Sequence, residues 1–243
     1  MNPTIDLLLR HRSVRAFTDA PVPRAHIEAA VRAGQAASTS SAVQAYCVIH
    51  VTDPATREAL VPLTGGQRKV ADCAAFFVVC GDVRRHRLIC EDAGVEYDAR
   101  LEAFLVAAVD ASLFAQNAVV AFESLGYGIC YVGGLRNELA DVDRLLELPD
   151  GVYPLYGLCV GVPAEEPSER PRLPLPSVLF EDRYPSDDTV RAELAAYDAT
   201  YRDYMEARSG KRRDWTGSMW RKFSRPARDR LAAYYASKGA DFG

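Results

Sequence analysis

No two of the six cysteines (Cys47, Cys73, Cys80, Cys90, Cys130 and Cys159) are spaced as C-x-x-C, and none has metal-ligand spacing. No metal site is expected, and thiols set in apolar runs read as small hydrophobes of a reduced compartment. The opening Met-Asn-Pro-Thr-Ile-Asp has no basic n-region, apolar h-region or small-residue cleavage site, so the cytoplasm is the expected location. With a net charge of −4, the chain as a whole does not bind polyanions through bulk charge. No uninterrupted apolar run spans a bilayer, since Asp110, Gln116, Asn117 and Glu123 break the longest one. Gly65-Gly66-Gln67-Arg68-Lys69 lacks the spacing of a phosphate-binding P-loop. The Gly126–Gly134 stretch has Tyr131 where a dinucleotide fingerprint needs a third glycine, and it follows a helix rather than a strand. No Ser-His-Asp or Cys-His signature is present, and His26, His50 and His86 read as ordinary surface or helix residues. There is no internal repeat.

What the chain does have is apolar content of 49% over 243 residues, enough for a large core. A short helix through Leu7–Leu9 with Thr4 as cap, and a helix over Arg24–Ala37, open the chain. Buried strands are expected at Tyr46–Val51, Ala75–Cys80, near Gly126–Gly134 and at Tyr153–Val162. Asp53-Pro54 opens another helix, and Asn137 caps one running to Leu146. The longest periodic segment, Asp98 to Leu125, is apolar around most of its circumference, with Gly126 as its stop. It reads as a central helix shared between core and subunit interface. Residues 1–162 are expected to form an α+β core. In 163–243, closely spaced prolines (Pro163, Pro167, Pro171, Pro174, Pro176) make an extended arm, followed by helices from Asp187 to Arg208 and after Pro226.

His11-Arg12-Ser13-Val14-Arg15 concentrates hydrogen-bond donors near the start of the chain. Two guanidinium forks, a hydroxyl and an imidazole suit phosphate oxygens. In an extended segment His11, Ser13 and Arg15 share a face. Alone, these residues read first as a solvated basic turn that ends the first helix, and the anion clamp is the lesser reading. Ser38-Thr39-Ser40-Ser41 adds four consecutive hydroxyls, and Arg170-Pro171-Arg172 a second guanidinium pair. The basic, aromatic stretch from Arg208 to Arg225 reads as a solvated face, a nucleic-acid surface or a nucleotide-phosphate site.

Taken in order, HRSVR, the hydroxyl cluster, TGGQRK, the long helix ending in ESLGYG, YVGGLRN, LYGLCVGVP and RPRLP resemble the nitroreductase family of flavoenzymes. The closest branch is the oxygen-insensitive NADPH nitroreductase and NADPH–FMN oxidoreductase group. The resemblance implies a three-layer αβα fold with a mixed sheet flanked by helices, and a C-terminal extension wrapping the partner of a homodimer. It implies FMN held by His11, Arg12, Ser13 and Arg15 with help from Thr39, by Gln67, Arg68 and Lys69, by Tyr131, Val132, Gly133 and Gly134 along the ring, and by Arg170 and Arg172. It implies NADPH 2′-phosphate recognition by Arg208, Arg212 and Arg213, in preference to nucleic acid. It places Ser41, Ala42, Arg136 and Arg225 at a pocket for a small-molecule electron acceptor. The family pattern has Lys at position 170 and Ser at position 39. The implied activity is ping-pong reduction of nitroaromatics, quinones or related acceptors by NADPH. The alternatives are a flavin reductase supplying reduced FMN to a partner, and a non-catalytic flavin carrier or sensor. The flavin carries the chemistry, so no catalytic side chain is expected.

Overall fold

The computed structural model describes residues 2–243. The helices are α1 (Pro3–Leu9), α2 (Arg24–Gln35), α3 (Pro54–Leu63), α4 (Lys69–Asp72), α5 (Arg84–Asp92), α6 (Leu101–Ser124), α7 (Leu139–Leu146), α8 (Asp187–Ser209), α9 (Trp215–Phe223) and α10 (Leu231–Ser237). Strands β1 (Tyr46–Val51), β2 (Ala75–Asp82), β3 (Gly128–Val132) and β4 (Val152–Gly161) form one sheet in the order β1-β2-β4-β3. All three pairings are antiparallel, with Phe76 opposite Cys159 and Cys130 opposite Cys159. The sheet is thus antiparallel rather than the mixed one that the family resemblance implies; among the described residues the parallel pairing is the isolated bridge between Ser13 and Ile129, outside the four-stranded ladder.

The central strand β2 is buried on both faces, which is why its sequence is continuously apolar rather than alternating. Successive side chains still point to opposite sides. Phe76, Val78 and Cys80 meet Leu60 and Val61 of α3 and Val142 of α7. Ala75, Phe77 and Val79 face α2 and α6, where Ile27, Phe114, Val119 and Phe122 complete the other layer. Helices thus cover both faces of the sheet. Gly34 lets α2 and α6 approach closely, since a Cβ there would lie 2.7 Å from the Phe114 ring. Phe76 and Phe122 are almost completely buried, and truncating either to alanine is expected to cost about 3–5 kcal/mol.

Several helix starts differ from expectation. Pro3 takes the first position of α1, so Asn2 rather than Thr4 is the cap, accepting from the Ile5 N–H at 3.0 Å. Asp98 does not cap α6; it accepts from Arg100 N–H at 3.1 Å, and the helix begins at Leu101. Glu138, not Asn137, precedes α7. Helix α9, hidden in the sequence by its charges, is capped by Asp214, which accepts from Gly217 N–H at 2.9 Å.

By length and apolar composition α6 could cross a membrane, yet it lies against the sheet as the central core helix. Its outer side carries Leu101, Leu105, Val109 and Leu113, a stripe at fourfold spacing that is 44–54% exposed.

The chain divides into two units. One runs to Pro167 and takes in Arg230–Gly243; the other is Ser168–Asp229. The final segment therefore belongs with the first unit, not with the extension that the sequence suggests for all of 163–243. Tyr235 Oη donates to Pro154 O of β4 at 2.8 Å, and buried Lys238 reaches Leu148 O at 2.7 Å and Asp143 at 3.1 Å. In the second unit, Asp198 on α8 accepts from the N–H groups of Trp215 and Thr216 at 2.8 and 2.9 Å, seating the start of α9.

Candidate functional site

After α1 the chain runs extended beside β3, and Val14 N–H donates to Ile129 O at 2.9 Å. Val14 points inward onto Gly128, where a Cβ would come within 2.7 Å of its Cγ2. That alternation turns Ser13 and Arg15 away from the core, as the sequence pattern predicts. His11 Nδ1 donates to Glu123 Oε1 at 2.6 Å, because a carboxylate can only accept; Nε2 is left for a ligand. Arg12 Nη1 donates to Arg10 O at 2.8 Å and Arg15 Nη1 to Ser13 O at 3.1 Å, so both guanidiniums curl over their own segment. Glu165 Oε1 accepts from two consecutive amides, Arg15 N–H at 2.6 Å and Ala16 N–H at 3.1 Å. Beside them lies a cavity of about 470 Å³ lined by Arg12, Val14 and the Pro163–Pro167 turn.

A second group stands at the start of α4. Gln67 Nε2 donates to Thr64 O at 2.6 Å, and the Lys69 ammonium donates to Gln67 Oε1. Gly134 lies directly against this pair, and any Cβ there would overlap the Gln67 amide and the Thr64 carbonyl. Gly133 has room, its Cβ position being 3.5 Å from Arg136. Burial pushes the Cys130 thiol up, while the Lys69 and Arg15 cations pull it the other way; both charges therefore act on the middle of β3. The His11–Arg15 segment at the start of β3, Lys69 near its middle and Gly133–Gly134 just past its end thus lie along one strand within one unit.

Other residues of the expected set are placed differently. Arg68 pairs with Glu58 at 2.5 Å and Asp72 at 2.9 Å on the exposed surface. The Tyr131 ring packs edge-on to Tyr156 and its hydroxyl donates to Gln116 Oε1 at 3.3 Å, with burial raising its pKa. Arg136 Nη1 donates to Leu155 O at 2.6 Å. Val132 is wholly buried, backbone and side chain, and presents no surface of its own to a ligand.

Thr39, Ser41 and Ala42 lie in a loop whose two ends are bonded to Asp110 of α6. Ser41, Ala42 and Gln44 all have left-handed backbone, with φ of 47°, 57° and 52°. From Asp110 to Glu123, the His11 partner, α6 advances about 20 Å. Within one chain the loop and the His11 cluster are therefore well apart.

Arg170, Arg172, Arg208, Arg212, Arg213 and Arg225 belong to the second unit. There Tyr197 Oη donates to Pro171 O at 2.8 Å, tying the Arg170–Arg172 turn to α8. Arg208 donates to Tyr204 Oη at 3.1 Å, and Arg212 lies 3.6 Å from Asp203 and 3.5 Å from Glu206. Among the described residues Arg213 has no ion pair.

The donor chemistry fits flavin mononucleotide. Guanidiniums, a hydroxyl and an imidazole suit its phosphate and ribityl oxygens, and the open side of Gly133 leaves space for a flat ring. Glu123 and Glu165 are missing from the sequence-derived set. They lie 112 and 150 residues from their partners His11 and Arg15, and nothing local in the sequence marks them. Among the described residues no His, Cys, Asp and Glu cluster could hold a metal.

Residues 8–162 match the model of the Nitroreductase family, and residues 170–242 that of the Nitroreductase family, C-terminal domain. An oxygen-insensitive NADPH nitroreductase of Salmonella typhimurium is 45% identical, and an FMN reductase (NADPH) of Bacillus subtilis 42%, each alignment covering 98% of both chains. Among solved structures, the NfrA1 nitroreductase of B. subtilis superposes with a TM-score of 0.95 at 40% identity, covering 98% of this chain and 99% of that one. An NADPH:FMN oxidoreductase from Vibrio harveyi complexed with NAD+ gives 0.87 at 36% identity, covering 98% and 99%.

Proposed function

This chain belongs to the nitroreductase family, and on that premise we propose that it is an FMN-dependent NADPH oxidoreductase acting on small nitroaromatic, quinone or flavin acceptors. The observation that carries the reading is the placement of the His11–Arg15 donors, Lys69 and Gly134 in turn along β3. When bound, FMN supplies the acceptance of hydride from NADPH and its delivery to the acceptor. Arg12, Ser13 and Arg15 neutralise and orient its phosphate, with His11 held in place by Glu123. Lys69, steadied by Gln67, would hold a cation beside the flavin when it is bound. Gly133 and Gly134 would offer it their backbone amides. Arg170 and Arg172 complete the cationic surround, while Arg208, Arg212 and Arg213 take the NADPH 2′-phosphate. Arg136 and Arg225 border the acceptor.

The active unit is a homodimer. Thr39, Ser41 and Ala42 can join the His11 cluster only from a second copy, because about 20 Å of α6 separates them in one chain. The apolar stripe from Leu101 to Leu113 gives that copy a surface to cover. The second unit, Ser168–Asp229, supplies its reach over the partner. Six free cysteines accord with a reduced cytoplasm. The name of the B. subtilis relative supports free flavin as one acceptor.

Steady-state kinetics test this reading. Parallel double-reciprocal lines for NADPH against a quinone, with NADH a poorer donor, are expected. A protein that carries FMN yet leaves NADPH unoxidised is a carrier instead.

A further inference from the structure

Asp110 has no exposed surface, and its carboxylate is divided between the two ends of one loop. Oδ1 accepts from Ser40 N–H and Oδ2 from Ala45 N–H, each at 3.1 Å. Between these amides stand Ser41, Ala42 and Gln44, three non-glycine residues in the left-handed region. Such backbone is disfavoured by contact between Cβ and the neighbouring carbonyl, and three cases in four positions persist only where the surroundings over-determine them. The loop's own side chains supply little of that constraint, since Ser41, Ala42 and Gln44 are exposed and the one internal bond, Gln44 Nε2 donating to Ala42 O, is 3.5 Å long. His86 contributes one further bond, Nε2 to Val43 O at 2.9 Å, and Val43 N–H closes a turn onto Ser40 O at 2.8 Å.

We propose that Asp110 is a positioning residue for the acceptor pocket, fixing the strained 40–45 loop so that Ser41 and Ala42 keep one geometry. This rests on the reading that Ser41 and Ala42 border the acceptor. The chemistry is specific to a carboxylate. Its two oxygens satisfy two amides at once, and helix α6, packed on the sheet, sets where those oxygens lie. A carboxamide of the same shape has one acceptor oxygen and turns an NH₂ group against an N–H donor. Asparagine here releases one end of the loop, and the left-handed residues then relax to ordinary backbone.

The test uses FMN-loaded dimer of wild type, Asp110→Asn, Ala42→Gly and the double variant. Hydrogen exchange reads the Ser40 and Ala45 amides, and the two half-reactions are measured separately. In Asp110→Asn both amides should lose protection, and KM for a quinone acceptor should rise roughly tenfold to a hundredfold. Flavin reduction by NADPH should keep its wild-type rate. Ala42→Gly should raise Tm in the wild-type background by relieving strain, and should lose that gain in the Asp110→Asn background, where the loop has already relaxed. Retained protection of both amides, an equal Tm gain in both backgrounds, or equal damage to both half-reactions overturns the proposal. Should Asp110→Asn not accumulate folded, Ser41→Gly and Ala42→Gly decide alone. They should raise Tm while raising acceptor KM, and a rise in Tm with KM unchanged contradicts the proposal. If wild-type holoenzyme fails to oxidise NADPH, the functional reading falls and takes the acceptor role with it. Exchange and Tm then still decide whether Asp110 anchors the loop.

Discussion

Glu123, on the last turn of α6, accepts a hydrogen bond from His11 Nδ1 at 2.6 Å, so the long central helix orients the N-terminal donor segment. The imidazole cannot rotate without losing this bond, and its Nε2 is aimed by it. Glu123→Ala is expected to weaken FMN binding by about 1.5–3 kcal/mol, the range for a hydrogen bond to a charged group. Glu123→Gln keeps an acceptor oxygen and should lose less. Titration of apoprotein with FMN, followed by quenching of flavin fluorescence, checks this; equal affinities for all three proteins would remove His11 from the site.

Gly133 and Gly134 are adjacent in sequence but differ in their surroundings. A methyl at 134 collides with the Thr64 carbonyl and Gln67 amide, which are backbone and bonded side chain and cannot easily withdraw. Gly134→Ala should destabilise the fold by on the order of 1–3 kcal/mol and displace Gln67 and Lys69. Gly133→Ala has open space and should leave stability within about 0.5 kcal/mol. Urea midpoints of the two variants give the comparison.

Glu165 holds the Arg15 and Ala16 amides from the far end of the core unit. Its removal exposes both donors and loosens the turn beside Arg15. Glu165→Ala should cost about 1 kcal/mol of FMN affinity, by analogy with the loss of a cap. Glu165→Gln should recover most of it, measured in the same fluorescence titration.

The sequence carries the layer architecture openly. β2 reads as buried because Ala75–Cys80 is continuously apolar, and β1 starts and stops at Tyr46 and Val51 as its composition predicts. Helix ends are less legible, because Asn2 and Thr4 are both good caps and only Pro3 decides between them. α9 is hidden because its charged residues mask a short helix seated through Asp198, a carboxylate 17 residues earlier. In the site, donor types are visible but their orienting carboxylates are not. Glu123, Glu165 and Asp110 each act across a long separation that leaves no local pattern. The pairing of Arg68 with Glu58 is likewise invisible, since it arises only when α3 and α4 are adjacent, whereas its pairing with Asp72 is a local i,i+4 contact.

His50 stacks on Phe77 with ring centroids 4.6 Å apart, and burial, with Arg24 and Arg57 nearby, lowers its pKa below the ordinary 6.5. The unfolded chain then binds a proton more readily than the native one. Stability from this group is complete above about pH 6.5 and declines as pH falls through that value towards the lowered one. Thermal melts from pH 7.5 down to 5 should show a shallower decline for His50→Gln than for wild type. Parallel curves would remove His50 as a contributor.

Arg212 faces Asp203 and Glu206, whereas Arg213 has no such competition among the described residues. An arginine already paired must leave its carboxylates to take a phosphate. Arg213→Ala should therefore raise KM for NADPH more than Arg212→Ala does, by roughly tenfold, with KM for NADH little affected in either. Equal effects on both nucleotides would place these arginines away from the 2′-phosphate.

On the proposed reading this chain holds FMN along β3 and reduces it with NADPH. Anaerobic addition of NADPH to the purified yellow protein, followed in the visible spectrum, tests it most directly. The flavin absorbance should bleach rapidly with NADPH and more slowly with NADH, and Arg15→Ala should purify with little flavin. A colourless wild-type protein that fails to take up added FMN would contradict the account at its root.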